Sequence, residues 1–97
     1  MYKIIYESEA ENDLEEIAFY YAEQAGLKLA EDINNRIRDH IKRLETMPFR
    51  SIQSENILGA REFLIEKLPY RAYFLVNEEK QEIHVLNIVH TARKYPN

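Results

Sequence analysis

Apolar residues recur along this chain with two periods, and the change of period marks its layers. The run "YKIIY" is β-branched and aromatic and predicts a first strand over Tyr2–Glu7. Ser8 with Glu11 three places on has the form of a capping box, and acids in a first turn suit a helix dipole. Ala10, Leu14, Ile17, Ala18, Tyr21 and Ala25 then keep the spacing of one helix face, and Gly26 is a natural stop. A second helix is predicted from near Leu27, with a stripe of Ala30, Ile33, Ile37, Ile41 and Leu44 and an end at Pro48. The link between the helices is so short that they must pack antiparallel.

Residues 48–59 show no period and read as a loop. Beyond Gly59 the period becomes two. "REFLIEK", "YRAYFLV" and "QEIHVLNIVH" read as strands, with Pro69 before the second and "NEEK" as the turn before the third. Short turns make these three an antiparallel meander. The order β-α-α-β-β-β predicts an α+β, two-layer fold, a helical hairpin packed on an antiparallel sheet with the first strand at an edge. At 97 residues the chain fits a single domain, 1–97, with a thin core.

With no cysteine, disulfides and thiolate metal sites are excluded, and a reducing cytoplasm is the expected location. The N-terminal apolar run is too short for a signal sequence or a membrane span. Net charge is −4, which argues against non-specific affinity for nucleic acid. The charge is uneven, however. Residues 1–25 hold Lys3 against seven acids, whereas residues 33–50 hold five basic residues against two acids. Residues 83–97 hold Arg93 and Lys94 and no acid. The acidic first helix reads as a solvated face. Gly26 and Gly59 stand alone, so no phosphate loop is formed, and His40, His84 and His90 are scattered over three elements without metal-ligand spacing. Neither a cofactor nor a metal is expected.

Four residues carry the remaining chemistry: Arg61 and Arg71 at the starts of two strands, and His90 and Tyr95 at the end of the last. Strand ends in a meander can meet at one edge. Two guanidiniums, an imidazole and a phenol together would suit phosphodiester cleavage by the 2′-hydroxyl. That reaction needs a base, an acid and cations around a crowded phosphorane. The plainer reading is a wet sheet face, with Arg61 paired to its neighbour Glu62 and His90 solvated.

The segments "YESEAENDLEEIAFYYAEQAG", "IKRLETMP", "GAREFLIEKLPYRAYFLV" and "EIHVLNIVHTARKYP", in this order over nearly the whole chain, resemble the RelE/ParE superfamily of type II toxin–antitoxin toxins. The resemblance implies a bacterial growth-inhibiting toxin neutralised by a cognate antitoxin whose flexible segment folds onto it. RelE-like members cut mRNA in the ribosomal A site. For this branch Arg61, Arg71, His90 and Tyr95 would be the catalytic set of a metal-independent endoribonuclease. ParE-like members act on DNA gyrase with no nuclease chemistry. For this branch Arg93 and Lys94, within the stretch His90 to Tyr95, and the basic second helix would contact the target. The loop 48–59 has a single cation, Arg50, and the chain is acidic, unlike strongly basic RelE-like members. The ending "VLNIVHTARKYP" looks more like the ParE branch, which is therefore favoured. A third reading is a non-toxic regulator retained for antitoxin binding. Phe19, Tyr20, Phe49, Ile52 and Ile57 are the expected antitoxin contacts, and a homodimer or a toxin–antitoxin hetero-oligomer is the expected assembly.

Overall fold

Apolar residues spaced by three or four set the helical layer in a computed structural model that describes residues 1–92. Ala30, Ile33, Ile37 and Ile41 fall on one side of a helix, and Leu27–Lys42 forms that helix, α2. The preceding helix α1 spans Ser8–Ala25 and buries Ala10, Leu14 and Ile17. Gly26 alone joins them, with φ +99 and ψ 167, a backbone region open essentially only to glycine. Its N–H donates to the Ala22 carbonyl, ending α1, and its carbonyl accepts from the Ala30 N–H, starting α2. The helices run antiparallel, so Glu11 near the start of α1 meets Arg38 near the end of α2 at 2.8 Å.

The predicted capping box does not form. The N-cap is Glu7, one residue earlier, and makes no side-chain cap bond. Both acids have partners elsewhere: Glu11 takes Arg38, and the Glu7 carboxylate takes His84 at 3.2 Å. Leu44 is buried in a 3-10 turn over Arg43–Glu45, and a second such turn spans Pro48–Arg50.

Among the described residues the sheet has five strands, in the order β1-β5-β4-β3-β2. They are β1 (Lys3–Tyr6), β2 (Ile52–Gln53), β3 (Arg61–Leu64), β4 (Tyr70–Asn77) and β5 (Glu82–His90). Two differences from the expected sheet follow from its edges. β1 pairs with β5 in parallel, so the sheet is mixed rather than wholly antiparallel. Inside the expected loop, Ile52 and Gln53 pair with β3 as a two-residue edge strand. Periodicity misses so short a strand because two residues carry no period.

Residues directly opposite in a ladder share a face. Ala72, Phe74, Ile83, Val85 and Ile88 therefore lie under the helices, where they join the helix stripes, Tyr70 and Ile65 in one core. Each large apolar side chain so buried is worth about 1.5–3 kcal/mol. The other face carries Glu62, Leu64, Arg71, Tyr73, Leu75 and His84. The loop after β2 reaches that face, where Asn56 Nδ2 donates to Tyr73 Oη at 3.2 Å. Among the described residues no helix is long and apolar enough to cross a membrane.

Candidate functional site

The alternation of the pleat separates the two arginines. Arg61 is opposite Phe74 and so belongs to the helix-side face, whereas Arg71 is opposite Leu64 and belongs to the open face. They are three ladder positions apart, roughly 10 Å along the strands. Each also has an internal partner. Arg61 Nε donates to Ser51 Oγ at 2.9 Å, and its terminal nitrogen donates to the Ser51 carbonyl at 2.6 Å and the Phe49 carbonyl at 3.5 Å. Its guanidinium lies 5.3 Å from the centroid of the Phe49 ring. Glu62 does not pair with its neighbour Arg61, because adjacent strand residues point to opposite faces. It pairs instead with Arg71, whose Nε lies 3.4 Å from Glu62 Oε1.

His90 is on the helix-side face, opposite Tyr70, with its ring edge-on to the Tyr70 ring at 5.5 Å. Its Nδ1 accepts from the Ala92 N–H at 3.0 Å. Tyr70 is four residues from Phe74, so His90 sits roughly 13 Å along the sheet from Arg61, with β4 between them. Arg61, Arg71 and His90 therefore do not converge. Tyr95, Arg93 and Lys94 lie outside the described residues.

A feature that periodicity could not reveal lies beside His90. β1 ends before β5 does, so among the described residues no strand pairs with the outer edge of β5 beyond Val85. Leu86 is an extra residue there, a bulge opposite Tyr73 and Phe74. Asp13 of α1 takes the place of a strand: its Oδ2 accepts from the Ile88 N–H at 2.8 Å and from Asn87 Nδ2 at 3.4 Å. Glu9 Oε2 accepts from the same amide at 3.1 Å. Burial pushes the Asp13 carboxyl above its ordinary range, against the pull of these donors, with Glu16 and Glu9 adding repulsion. The acidic face of α1 is thus not wholly solvated.

Above this clamp a cleft of about 500 Å³ opens between α1 and the end of β5. One wall is a chain of rings. Tyr20 and Tyr21 meet edge-to-face at 5.1 Å, Tyr70 Oη donates to Tyr21 Oη at 3.4 Å, and His90 follows. Burial, and then the Tyr21 hydroxyl, push the Tyr70 phenol well above its ordinary value. Asp13 and Glu16 supply the carboxylates.

The apolar candidates fall into two places. Phe19 and Tyr20 are adjacent on α1 and 65% and 55% exposed. Phe49 and Ile52 lie at the β2 edge, where Ile52 is 65% exposed and Phe49 touches both Arg61 and Tyr2. Ile57 is half-buried, in the loop whose Ser54 hydroxyl accepts its N–H.

Residues 4–95 match the model of a family described as the ParE toxin of the type II toxin–antitoxin system parDE. A solved structure of the chromosomal ParDE TA system from P. aeruginosa has a chain with 26% identity and a TM-score of 0.83, covering 93% of this chain and 96% of that one. The isolated E. coli RelE toxin superposes with a TM-score of 0.62 at 12% identity, covering 98% and 89% of the two chains. A chain of the RelBE2 complex from Mycobacterium tuberculosis gives 0.60 at 14%, covering 92% and 96%. These last two share the fold. A search of the curated proteins finds no match.

Proposed function

The chain belongs to the ParE toxin family, and from that premise we propose that it is a cytoplasmic toxin, kept silent by a cognate antitoxin, that acts on DNA gyrase and cuts no nucleic acid. The observation that carries this reading is the separation of Arg61 and Arg71 onto opposite faces, each with an internal partner. A phosphorane needs cations that converge on one point and are free to meet it. Here one guanidinium braces a loop and the other neutralises Glu62. The net charge of −4 is also poor equipment for an RNA-lined site.

Antitoxin binding is supported by the exposed apolar residues of α1 and the open edge of β2. A flexible segment can lay a helix on the first or a strand on the second. Phe19, Tyr20, Phe49 and Ile52 are the contacts we assign to it. Ile57 would contribute by holding the loop beside them. Target contact is assigned to the stretch that begins at His90 and continues through Arg93 and Lys94.

The test uses purified full-length protein in two assays side by side. In a supercoiling assay with DNA gyrase, activity should fall as the protein is added and return when antitoxin is supplied. On ribosomes programmed with mRNA, the message should stay intact. Message cut on the ribosome together with unchanged supercoiling would overturn the gyrase reading.

A further inference from the structure

The cleft between α1 and the end of β5 combines two features that a single side-chain type satisfies together. Its aromatic wall is lined by Tyr20, Tyr21 and Tyr70, with His90 at one end, and Tyr20 is its exposed ring. Its other side presents Asp13 and Glu16. With Glu9 close by, these carboxylates repel one another. None of the three has an ion-pair partner among the described residues. The surrounding charge has the same sign, since residues 1–25 hold one lysine against seven acids.

A guanidinium fits this combination. It stacks flat on aromatic faces, forks to carboxylates and is charged at every working pH. We propose that the cleft receives an arginine side chain of the cognate antitoxin, and that an antitoxin seated there lies against His90 and so covers the start of the stretch assigned to the target. The proposal rests on the toxin reading above and adds a location and a means of silencing. Complementary charge selects the antitoxin segment: an acidic toxin calls for a basic residue in the chain that folds onto it. Exposed Tyr20 in the cleft wall and exposed Phe19 next to it in α1 offer that segment its apolar footing.

Two measurements test it on the full chain. In the first, N-acetyl-arginine amide is titrated in while the tyrosine and histidine ring signals are followed by NMR, with the neutral isostere N-acetyl-citrulline amide as comparison. Shifts at Tyr20, Tyr21, Tyr70 and His90 with the arginine probe alone are expected. Equal shifts with citrulline, or none with either, would overturn the proposal. In the second, affinity for the full-length antitoxin is measured for Glu16→Gln and Tyr20→Ala, both exposed positions that leave the core intact, and for Glu23→Gln as a control. Each of the first two should weaken binding roughly five- to tenfold, and the control should leave it unchanged. Undiminished affinity in both cleft variants removes the cleft proposal but leaves the toxin reading standing. An antitoxin that fails to bind even the unaltered chain defeats that reading, and the proposal falls with it. If ending the chain at Ala92 is what first opens the cleft to the arginine probe, the occupant is the chain's own last residues and the proposal is overturned.

Discussion

Arg61 is a residue whose role depends on which way one side chain points. On a strand start it could face a substrate phosphate, but the pleat turns it to the helix side, where its fork meets the Ser51 hydroxyl and carbonyl and lies against Phe49. Lysine could not reproduce that arrangement, because a single ammonium lacks the planar fork. Arg61→Ala is therefore expected to cost about 1–2 kcal/mol, since bonds to charged donors are worth more than neutral ones but this group is partly solvated. Thermal unfolding should show a melting temperature lower by roughly 5–10 °C, with Arg61→Lys recovering only part. A catalytic arginine would behave in the opposite way, leaving the melting temperature unchanged while abolishing toxicity. Neither orientation nor partner was legible in the sequence. "REFL" shows an arginine at a strand start, and its face depends on a register set by β4.

Among the elements, those legible in the sequence are the ones long enough to show a period. The first helix, the start of the second, the single-glycine link and the strands β4 and β5 fall where the apolar spacing puts them. Helix α2, however, stops at Lys42, short of Pro48, and the expected strand "REFLIEK" stops at Leu64, because the chain turns at Glu66 and Lys67 to reach β4. What escaped depends on contacts between distant segments: the parallel pairing of β1, the two-residue β2 and the bulge at Leu86. The clamp of Asp13 on β5 belongs to this group. Nothing local distinguishes Asp13 from the other acids of α1, and its task exists only because β1 stops short of Ile88. That task has a measurable consequence. Asp13→Ala leaves the Ile88 N–H without its acceptor, which should cost about 1–3 kcal/mol. Hydrogen exchange at the Ile88 amide should accelerate by roughly tenfold for each 1.4 kcal/mol, whereas amides of α2 should change only as far as global stability falls. Asp13→Asn retains an acceptor oxygen and should exchange at an intermediate rate. Unchanged Ile88 exchange in Asp13→Ala would show that the strand end is held by other means.

Across the whole molecule, the fold closes by bringing its first strand against its last, and His84 joins them. Its Nδ1 meets Glu7, which follows β1, and its Nε2 meets Glu82 on its own strand. Bonds to Glu82 and then Glu7 raise its pKa above the ordinary value of 6.5, burial opposing them. A histidine that binds its proton more tightly when folded stabilises the fold fully below the unfolded value, and that contribution fades as pH rises through the folded one. Asp13 starts from the ordinary carboxylate value of 3.8 and is raised by burial, while Tyr6, raised by burial against the pull of Arg38, and Tyr70 act only above 10. The window that opens above pH 6.5 therefore reports on His84. The clasp is partly solvated, so screening keeps the effect modest and salt should shrink it. Melting temperature measured across that window at low salt should fall with rising pH in the unaltered chain. The slope should flatten in His84→Gln, and adding salt should flatten it in the unaltered chain as well. A slope that survives His84→Gln would mean the two ends are held by β-pairing alone, with the ion pairs contributing nothing measurable.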